Sequence, residues 1–335
     1  MNTLRRGKQS MEFPNHPAVA AWASVAGKKE SEGPLGPCFD QVVADGKCGQ
    51  DSWEQAETWL QRRALALLGE KAGKQPQLIL SGDLLNQCVG SSFALRGTGI
   101  PALGLYGACS TMAEGLLLAG ALVNAGYVQS AAALSSSHFA AAERQYRFPL
   151  AYGGQRTPTA QWTVTGSGAV LVSASGKGPD LTAATVGTVE DKGVSDANNM
   201  GSAMAWAAYR SIRAHLEDLR VGPEHYDLIV TGDLGKLGSD LVRELFAADG
   251  VKLDSRYQDC GLLIFDPERQ DVHSGGSGAG CSAVVLAAHL LPGLEAGRWK
   301  RILFCGTGAL LSPTTVQQKQ SIPAVCHCVA MEIEN

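Results

Sequence analysis

Residues 78–84 read Leu-Ile-Leu-Ser-Gly-Asp-Leu, and the pattern returns at residues 228–234 as Leu-Ile-Val-Thr-Gly-Asp-Leu. Each copy is a short apolar run that ends in turn residues, which predicts a buried strand followed by a loop. A second match follows in the same order, because Asn124-Ala125-Gly126 and Glu295-Ala296-Gly297 each precede a further apolar run. Two matches in the same order predict an internally duplicated chain with two similar α/β halves.

Strand and helix signals alternate along both halves, as in layered α/β proteins. Strands are predicted at 77–81, 101–106, 131–134, 168–173, 226–231, 262–265, 301–305 and 325–333, and helices at 110–124, 241–247 and 281–291. Ser110 and Thr111 are the expected capping residues of the first helix. We predict an N-terminal half at 1–180 and a C-terminal half at 181–335, with a lid-like insertion near 190–215.

The composition fits such a protein and excludes other classes. The chain has 335 residues, and 40 of them are glycine, well above the roughly 7% that is usual. Lys and Arg number 28 against 32 Asp and Glu, so the net charge of −4 argues against nucleic-acid binding. Hydrophobic residues make up 45% of the chain, which argues against disorder.

Targeting and metal signals are absent from the sequence. The basic N-terminal residues are not followed by an apolar run, so no secretory signal is predicted. No stretch reaches the roughly 20 apolar residues of a membrane-spanning helix. The nine cysteines are irregularly spaced, which favours reduced, buried thiols. Cys326-His327-Cys328 would place its middle residue on the opposite face of a strand, so no metal site is predicted.

Cys109 differs from the other cysteines in its predicted position. Gly107-Ala108-Cys109-Ser110-Thr111 places a thiol between a predicted strand and the start of a predicted helix. The free N–H groups and dipole of a helix N-terminus lower the pKa of a nearby thiol, so Cys109 is expected to be a nucleophile or an anion contact. The small neighbours leave room for a ligand. We therefore favour a pocket role over that of an inert buried thiol.

A duplicated α/β chain with a strand–Cys–helix element resembles the thiolase superfamily, which includes the ketoacyl synthases. More specifically, the chain is similar to the stage V sporulation protein AD family. The blocks that carry this similarity are Gly33-Pro34-Leu35-Gly36, Ser81-Gly82-Asp83-Leu84-Leu85-Asn86-Gln87, Gly107-Ala108-Cys109-Ser110-Thr111, Ser136-Ser137-His138, Ala142-Glu143-Arg144-Gln145-Tyr146-Arg147, Tyr152-Gly153-Gly154-Gln155, Val164-Thr165-Gly166-Ser167-Gly168-Ala169-Val170, Asn198-Asn199-Met200-Gly201, Asp259-Cys260-Gly261-Leu262 and Thr307-Gly308-Ala309-Leu310-Leu311-Ser312-Pro313. The resemblance implies a thiolase-like fold with a layered αβαβα core, and dipicolinic acid binding during spore formation.

The resemblance also frames the catalytic question. Condensing enzymes of the superfamily pair the Cys with two partners, His with His or Asn, on loops of the second half. In this chain the loop after the predicted strand at 226–231 carries Asp233 and no His. Ser277 stands where the Asn of the second loop is expected. Cys305 resembles the Cys of the thiolase Cys-x-Gly strand end, and His273 is a weaker candidate for a displaced partner. We therefore predict a binding protein that is not an enzyme and that needs no cofactor.

Dipicolinic acid is a flat pyridine with two carboxylates, for which the planar fork of Arg is well suited. A basic and aromatic stretch runs from residue 138 to residue 157. The predicted ligand-binding residues are Cys109, Ser110, His138, Arg144, Arg147, Tyr152, Arg156, Asn199, Asp233, Ser277 and Cys305. An alternative role for Arg144 and Arg147 is contact with a second subunit. The resemblance implies that the subunits of superfamily members pair through the strand near 131–137.

Three functions are carried forward. The first is dipicolinic acid binding, as the free acid or its calcium chelate, in support of its uptake into the developing spore. The resemblance implies membrane subunits of the stage V sporulation A complex as partners, a homodimer, and a place in the spore or forespore at the inner membrane. The second is a Cys-dependent acyltransferase or ketoacyl synthase, and the third is a structural subunit with a vestigial pocket.

Overall fold

The computed structural model describes residues 4–146 and 156–333. Its strands are β1 (Arg5–Arg6), β2 (Ser10–Glu12), β3 (Ala18–Gly27), β4 (Gln41–Val43), β5 (Leu78–Gly82), β6 (Ala102–Gly104), β7 (Ser130–Ser137), β8 (Trp162–Thr163), β9 (Gly166–Ser173), β10 (Asp180–Thr185), β11 (Leu228–Thr231), β12 (Tyr257–Asp259), β13 (Gly276–Ser277), β14 (Arg301–Ala309) and β15 (Ala324–Glu332). Its α-helices are α1 (Lys28–Ser31), α2 (Trp53–Ala72), α3 (Val89–Leu95), α4 (Thr111–Asn124), α5 (Phe139–Tyr146), α6 (Met200–Leu219), α7 (Gly235–Ala248), α8 (Cys260–Leu263), α9 (Ala279–Val285), α10 (Leu291–Glu295) and α11 (Pro313–Gln317).

The main sheet shows the duplication directly. Its strands run in the order β12-β11-β14-β15-β10-β3-β9-β7-β5-β6. From the centre outward, β3-β9-β7-β5-β6 in one direction corresponds to β10-β15-β14-β11-β12 in the other. The pairings correspond as well, since β7–β9 and β14–β15 are antiparallel while β5–β7 and β11–β14 are parallel. The predicted pair of similar halves is confirmed.

The helices complete the layers. On one outer face α2 packs on β3, β7 and β9, and on the other α6 packs on β14 and β15. Between the two halves of the sheet lie α4 and α9, and α4 contacts β7 of the first half together with β14 and β15 of the second. Its sequence is apolar around most of its circumference, which suits a helix covered on both sides. The αβαβα core predicted from the sequence is therefore present.

One predicted strand is wrong. Residues 262–265 were expected to form a strand, but α8 occupies Cys260–Leu263 and the strand of this unit is β12, at Tyr257–Asp259. A short apolar run does not distinguish a buried strand from a buried turn of helix, because both leave every side chain covered.

The expected dimer strand also needs correction. Hydrogen bonds join β7 to β5 on one side and to β9 on the other, so the strand at Ser130–Ser137 has no free edge for a second copy. The outermost strand of this half is β6. Arg144 is therefore not brought to a partner subunit by β7.

The connection between the halves only partly matches the predicted lid. Residues 186–199 cross the surface without helix, and Glu190 bridges to Ala324 while Val194 accepts a hydrogen bond from Ile322. Residues 200–215 instead belong to α6, the counterpart of α2 in the outer layer. Within the described ranges, the structure contains no helix with the length and apolar character that crossing a membrane requires.

Candidate functional site

Cys109 lies in a one-turn 3₁₀ helix between β6 and α4. Ala108, which precedes it, has a φ of 49°, a left-handed conformation that non-glycine residues rarely adopt. Strand β14 packs directly on this turn, since a Cβ atom at Gly308 would lie 2.2 Å from the carbonyl oxygen of Gly107. The turn thus sits where the first half meets the second.

The two hydroxyls predicted to cap α4 act differently. Ser110 Oγ donates to the carbonyl oxygen of Gly107 at 2.6 Å, and Thr111 Oγ1 donates to that of Ala108 at 2.7 Å. Ser110, at the N-cap position of α4, accepts from no backbone N–H of the helix, and Thr111 Oγ1 accepts instead from the N–H of Gly107 at 3.3 Å. The hydroxyls hold the Cys109 turn closed, so the capping prediction was wrong.

Asp233 is the centre of the site. Its Oδ2 accepts from Ser277 Oγ at 2.9 Å and from the backbone N–H of Gly278 at 3.0 Å, and its Oδ1 accepts from Thr307 Oγ1 at 2.8 Å. The Cys109 thiol lies within hydrogen-bonding reach of the same carboxylate. The residues that stand at the positions of the superfamily partners, Asp233 and Ser277, are therefore joined to each other and to Cys109.

This arrangement keeps the thiol protonated. Burial raises the pKa of Cys109 well above its ordinary value, and the nearby Asp233 carboxylate raises it further. The sequence had predicted the opposite direction, from the position of Cys109 at a helix N-terminus. Removal from water and a facing carboxylate outweigh the helix dipole here, because the dipole's effect is typically a fraction of a kcal/mol to about 2 kcal/mol.

A second buried carboxyl group lies behind Asp233. Asp259 accepts hydrogen bonds from Thr231 Oγ1 at 2.7 Å and from the backbone N–H groups of Leu234 at 2.9 Å and Gly235 at 3.0 Å. Burial raises the pKa of Asp259 to about 7. This carboxyl group fixes the start of α7 and thereby the loop that carries Asp233.

A small cavity of about 40 Å³ opens beside the thiol. The residues that line it are Leu84, Ala108, Cys109, Ala142, Glu143, Tyr146, Thr163, Ala197, Met200, Ser277, Ala309 and Leu311. Such a volume has room for about three water molecules. Among the lining residues that belong to the described ranges 4–146 and 156–333, Glu143 is the one carboxylic acid, and none carries a positive charge.

The structure brings four of the predicted residues to this cavity. Cys109 and Ser277 line it, and Asp233 lies against both. Asn199 immediately precedes α6, between two residues that line the cavity, and its Oδ1 is buried without a hydrogen-bond partner. The segment before α6 thus contributes Ala197 to the cavity wall, and α6 contributes Met200.

Two predicted residues lie close by without lining the cavity. Ser110 is fully buried and its hydroxyl is engaged by Gly107. Cys305 is buried in the core, opposite Cys328 of β15 and beside Cys326. Among the described residues no cluster of His, Cys, Asp and Glu is arranged to hold a metal ion.

The remaining described candidates lie on the other side of α5. His138 donates its Nε2–H to the carbonyl oxygen of Gly46 at 2.6 Å. Arg144 forms an ion pair with Glu54, and Arg156 binds Asp271. The other two predicted residues, Arg147 and Tyr152, lie outside the described part of the chain.

Sequence reasoning missed most of the apolar wall. Glu143 and Tyr146 line the cavity three residues apart on one face of α5, and Tyr146 donates to the carbonyl oxygen of Leu84 at 2.9 Å. The three-residue spacing of Glu143 and Tyr146 is typical of one face of a helix and could have indicated them. The prediction followed the arginines of this segment instead. Met200 and Leu311 come from distant segments, and no local pattern marks them.

Comparison with known proteins identifies the family of the chain. Residues 7–332 match the family described as stage V sporulation protein AD. The chain is 45% identical over 329 residues to stage V sporulation protein AD of Bacillus subtilis (strain 168), with 97% of each chain covered.

Solved structures with a similar fold are enzymes of low sequence identity. A 3-oxoacyl-(acyl carrier protein) synthase III from Pseudomonas aeruginosa is 16% identical with a TM-score of 0.57, and the match covers 96% of this chain and 99% of that one. A variant of OleA from Xanthomonas campestris is 15% identical with a TM-score of 0.61, covering 98% and 99%. These likenesses establish the thiolase-like fold.

Proposed function

This chain belongs to the stage V sporulation protein AD family, and from that premise we propose that it is a non-catalytic, thiolase-fold protein that binds dipicolinic acid. Its role in this proposal is to support uptake of the acid into the developing spore. The sequence resemblance to the family supports dipicolinic acid as the ligand. The hydrogen bonds of Asp233 support the absence of catalysis.

The argument against catalysis comes from proton chemistry. Acyl transfer by a Cys requires the thiolate, together with groups that move protons and stabilise the thioester oxygen. At Cys109 the facing group is a carboxylate that opposes ionisation of the thiol, and no histidine is among the lining residues that the structure describes. General acid–base catalysis contributes about 10²–10⁴-fold, so its loss removes much of the rate.

The proposal includes membrane subunits of the stage V sporulation A complex as partners, at the spore inner membrane. It also includes a homodimer formed through β6 rather than β7. The outer edge of β6 pairs with no strand of the described residues, and Leu103 on it is 50% exposed. Phe93 and Val89 of the neighbouring α3 are exposed as well. An uncharged, apolar edge strand suits antiparallel pairing with a second copy.

Calorimetric titration with dipicolinic acid, with and without calcium, tests the ligand. Phthalate, a planar aromatic dicarboxylate without the ring nitrogen, is the matched control. We expect saturable binding of dipicolinate that exceeds binding of phthalate. The absence of heat above the phthalate control would overturn the proposed function and favour a structural subunit with a vestigial pocket.

A second candidate function is that of a Cys-dependent acyltransferase or ketoacyl synthase, because Cys109 is present on a thiolase-like fold. Incubation with acyl-CoA followed by mass spectrometry distinguishes the two. We expect no acyl adduct on Cys109. An adduct that is absent in Cys109→Ala would establish the acyltransferase instead.

A further inference from the structure

The cavity beside Cys109 is too small for the ligand of the proposed function. Its volume is about 40 Å³, whereas pockets that bury small molecules usually measure roughly 300–1,000 Å³. Dipicolinic acid carries a flat ring and two carboxylates, and about three water molecules already fill the space that is present. A ligand of this size can therefore enter only when part of the cavity wall moves.

Exposure indicates which part of the wall borders solvent. Most of the described lining residues are buried, but Tyr146, Ala197 and Met200 are partly accessible. Tyr146 ends α5 in the first half of the chain, whereas the other two lie near the start of the second half. All three pack on the same core cluster, which includes the buried Leu311. The mouth of the cavity thus lies between Tyr146 and residues 197–200.

Tyr146 is held at this mouth by its hydroxyl. The hydroxyl donates to the carbonyl oxygen of Leu84 at 2.9 Å. The Tyr106 hydroxyl lies within hydrogen-bonding reach of it and donates to the carbonyl oxygen of Leu311 at 3.1 Å. Because Leu84 and Leu311 both line the cavity, two tyrosine hydroxyls fasten two parts of its wall.

Release of Tyr146 leaves no buried acceptor without a donor. The carbonyl oxygen of Leu84 also accepts from Gln145 Nε2 at 2.8 Å, and Gln145 Oε1 accepts from the backbone N–H of Asn86 at 3.1 Å. A carbonyl oxygen has two lone pairs, so it stays satisfied when one of its two donors leaves. The freed phenol hydroxyl reaches water, since Tyr146 is already partly accessible. Opening therefore avoids the penalty for an unsatisfied buried polar group.

Other parts of the wall are held more firmly. Ser277 donates to the buried carboxylate of Asp233 at 2.9 Å. On the far side of the mouth, the carbonyl oxygen of Val194 accepts from the N–H of Ile322 at 2.7 Å, and Met200 begins α6, a helix of 20 residues. The end of α5 is therefore the part of the wall that can move at the lowest cost.

We propose that Tyr146 controls access to the Cys109 cavity, because its ring occupies the place that the ring of a planar aromatic dicarboxylic acid takes on binding. The inference rests on the proposed function for the identity of the ligand, and it keeps that ligand beside Cys109. The apolar side chains of Leu84, Met200 and Leu311 then contact the ring of the ligand in place of the phenol. The apparent affinity is reduced in proportion to the fraction of molecules in which Tyr146 has moved out.

Tyr146→Phe and Tyr146→Ala test this role with two measurements. Tyr146→Phe keeps the ring and removes its hydrogen bond to Leu84. It should accelerate the alkylation of Cys109 by iodoacetamide about two- to tenfold and lower the dissociation constant of dipicolinate by a similar factor. Tyr146→Ala removes the ring and should have a larger effect on both. Tyr127→Phe makes the same change at a position that is 77% exposed, and it should alter neither.

The direction of the change in affinity separates control of access from direct ligand contact. Weaker dipicolinate binding by both variants would identify Tyr146 as a ligand contact and overturn the inference, with the proposed function left standing. Alkylation of Cys109 at the wild-type rate in both variants would overturn it as well. Absence of dipicolinate binding by the wild type, with faster alkylation in Tyr146→Phe, would overturn the proposed function and leave control of access standing. Circular dichroism confirms that each variant is folded.

Discussion

Asp83 and Asp233 occupy the same position in the two copies of the repeat at 78–84 and 228–234, and both are completely buried. The first accepts hydrogen bonds from nearby residues, Leu85 N at 2.9 Å, Ser91 N at 2.7 Å and Ser91 Oγ at 2.6 Å. The second accepts from side chains and backbone brought in from distant segments. One duplicated motif thus closes a local loop in one half and organises the candidate site in the other.

The comparison shows that the motif places a buried carboxyl acceptor at the end of a strand. The neighbouring segments determine which donors bind that acceptor. After β5 the chain turns into α3, and the donors for Asp83 are the N–H of Leu85 in the turn and the N–H and hydroxyl of Ser91 in α3. After β11 the equivalent space is filled by β13 and β14, which supply Ser277 and Thr307. Four experiments sharpen or break this comparison.

The largest expected effect is on the pH dependence of stability, through Asp259 behind Asp233. Its folded pKa of about 7 lies above the ordinary value of 3.8, so its stabilising contribution is full below about pH 3.8 and is lost as the pH rises to about 7. At 1.36 kcal/mol per pKa unit this loss is about 4 kcal/mol. Asp259→Asn should remove that part of the decline in the free energy of unfolding. An unchanged pH profile in urea titrations would contradict the assignment.

Next in size is the change Asp83→Ala. It leaves the donors of Leu85 and Ser91 buried without an acceptor, at about 1–3 kcal/mol each, so we expect a loss of about 3 kcal/mol or more. Chemical denaturation measures it. Because Asp83 acts locally, the reactivity of Cys109 in the folded protein should stay at the wild-type level. A changed reactivity would show that the two copies of the motif are not independent.

A smaller effect is expected at the thiol itself. Asp233→Asn removes the negative charge that faces Cys109, so the pKa of the thiol should fall and its alkylation by iodoacetamide near pH 8 should accelerate about tenfold. Peptide mass spectrometry separates this cysteine from the other eight. The control is Asp83→Asn, with the same change in the other copy, and equal acceleration in both variants would refute the comparison.

The smallest pair removes one hydroxyl from each copy. Ser91→Ala and Ser277→Ala each delete a hydrogen bond to a buried carboxylate, with an expected cost of about 1–2 kcal/mol in thermal unfolding. Only the change at Ser277 should alter the alkylation rate of Cys109. If the rate responds to Ser91→Ala instead, the division of roles between the halves is wrong.

The sequence was sufficient to predict the layered fold, because the repeat and the alternation of apolar runs are local signals. It also placed Asp233 and Ser277 at the site through the family resemblance. It did not reveal β3, whose alanine-rich stretch has little strand preference, and it misassigned residues 262–265. Those errors arise where burial on both sides removes the periodicity that distinguishes strand from helix.

The contacts around Trp162 could not be predicted by the same means. Lys29 and Trp162 are far apart in the chain, and neither belongs to a motif. The arginines of residues 138–157 were predicted as ligand-binding residues because they lie close together in the sequence. Arg144 turned out to be paired with Glu54, whereas Arg156 meets Lys29 over the indole. Charge balance in three dimensions decides which cation is available to a ligand.

The donors gathered around Asp233 have an evolutionary consequence. A neutral imidazole offers one acceptor nitrogen, whereas the carboxylate accepts from Ser277, Gly278 and Thr307. A single change to histidine at this position would strand at least two buried donors, so it would destabilise the fold before any chemistry could be selected. The hydrogen-bond network therefore disfavours histidine at position 233.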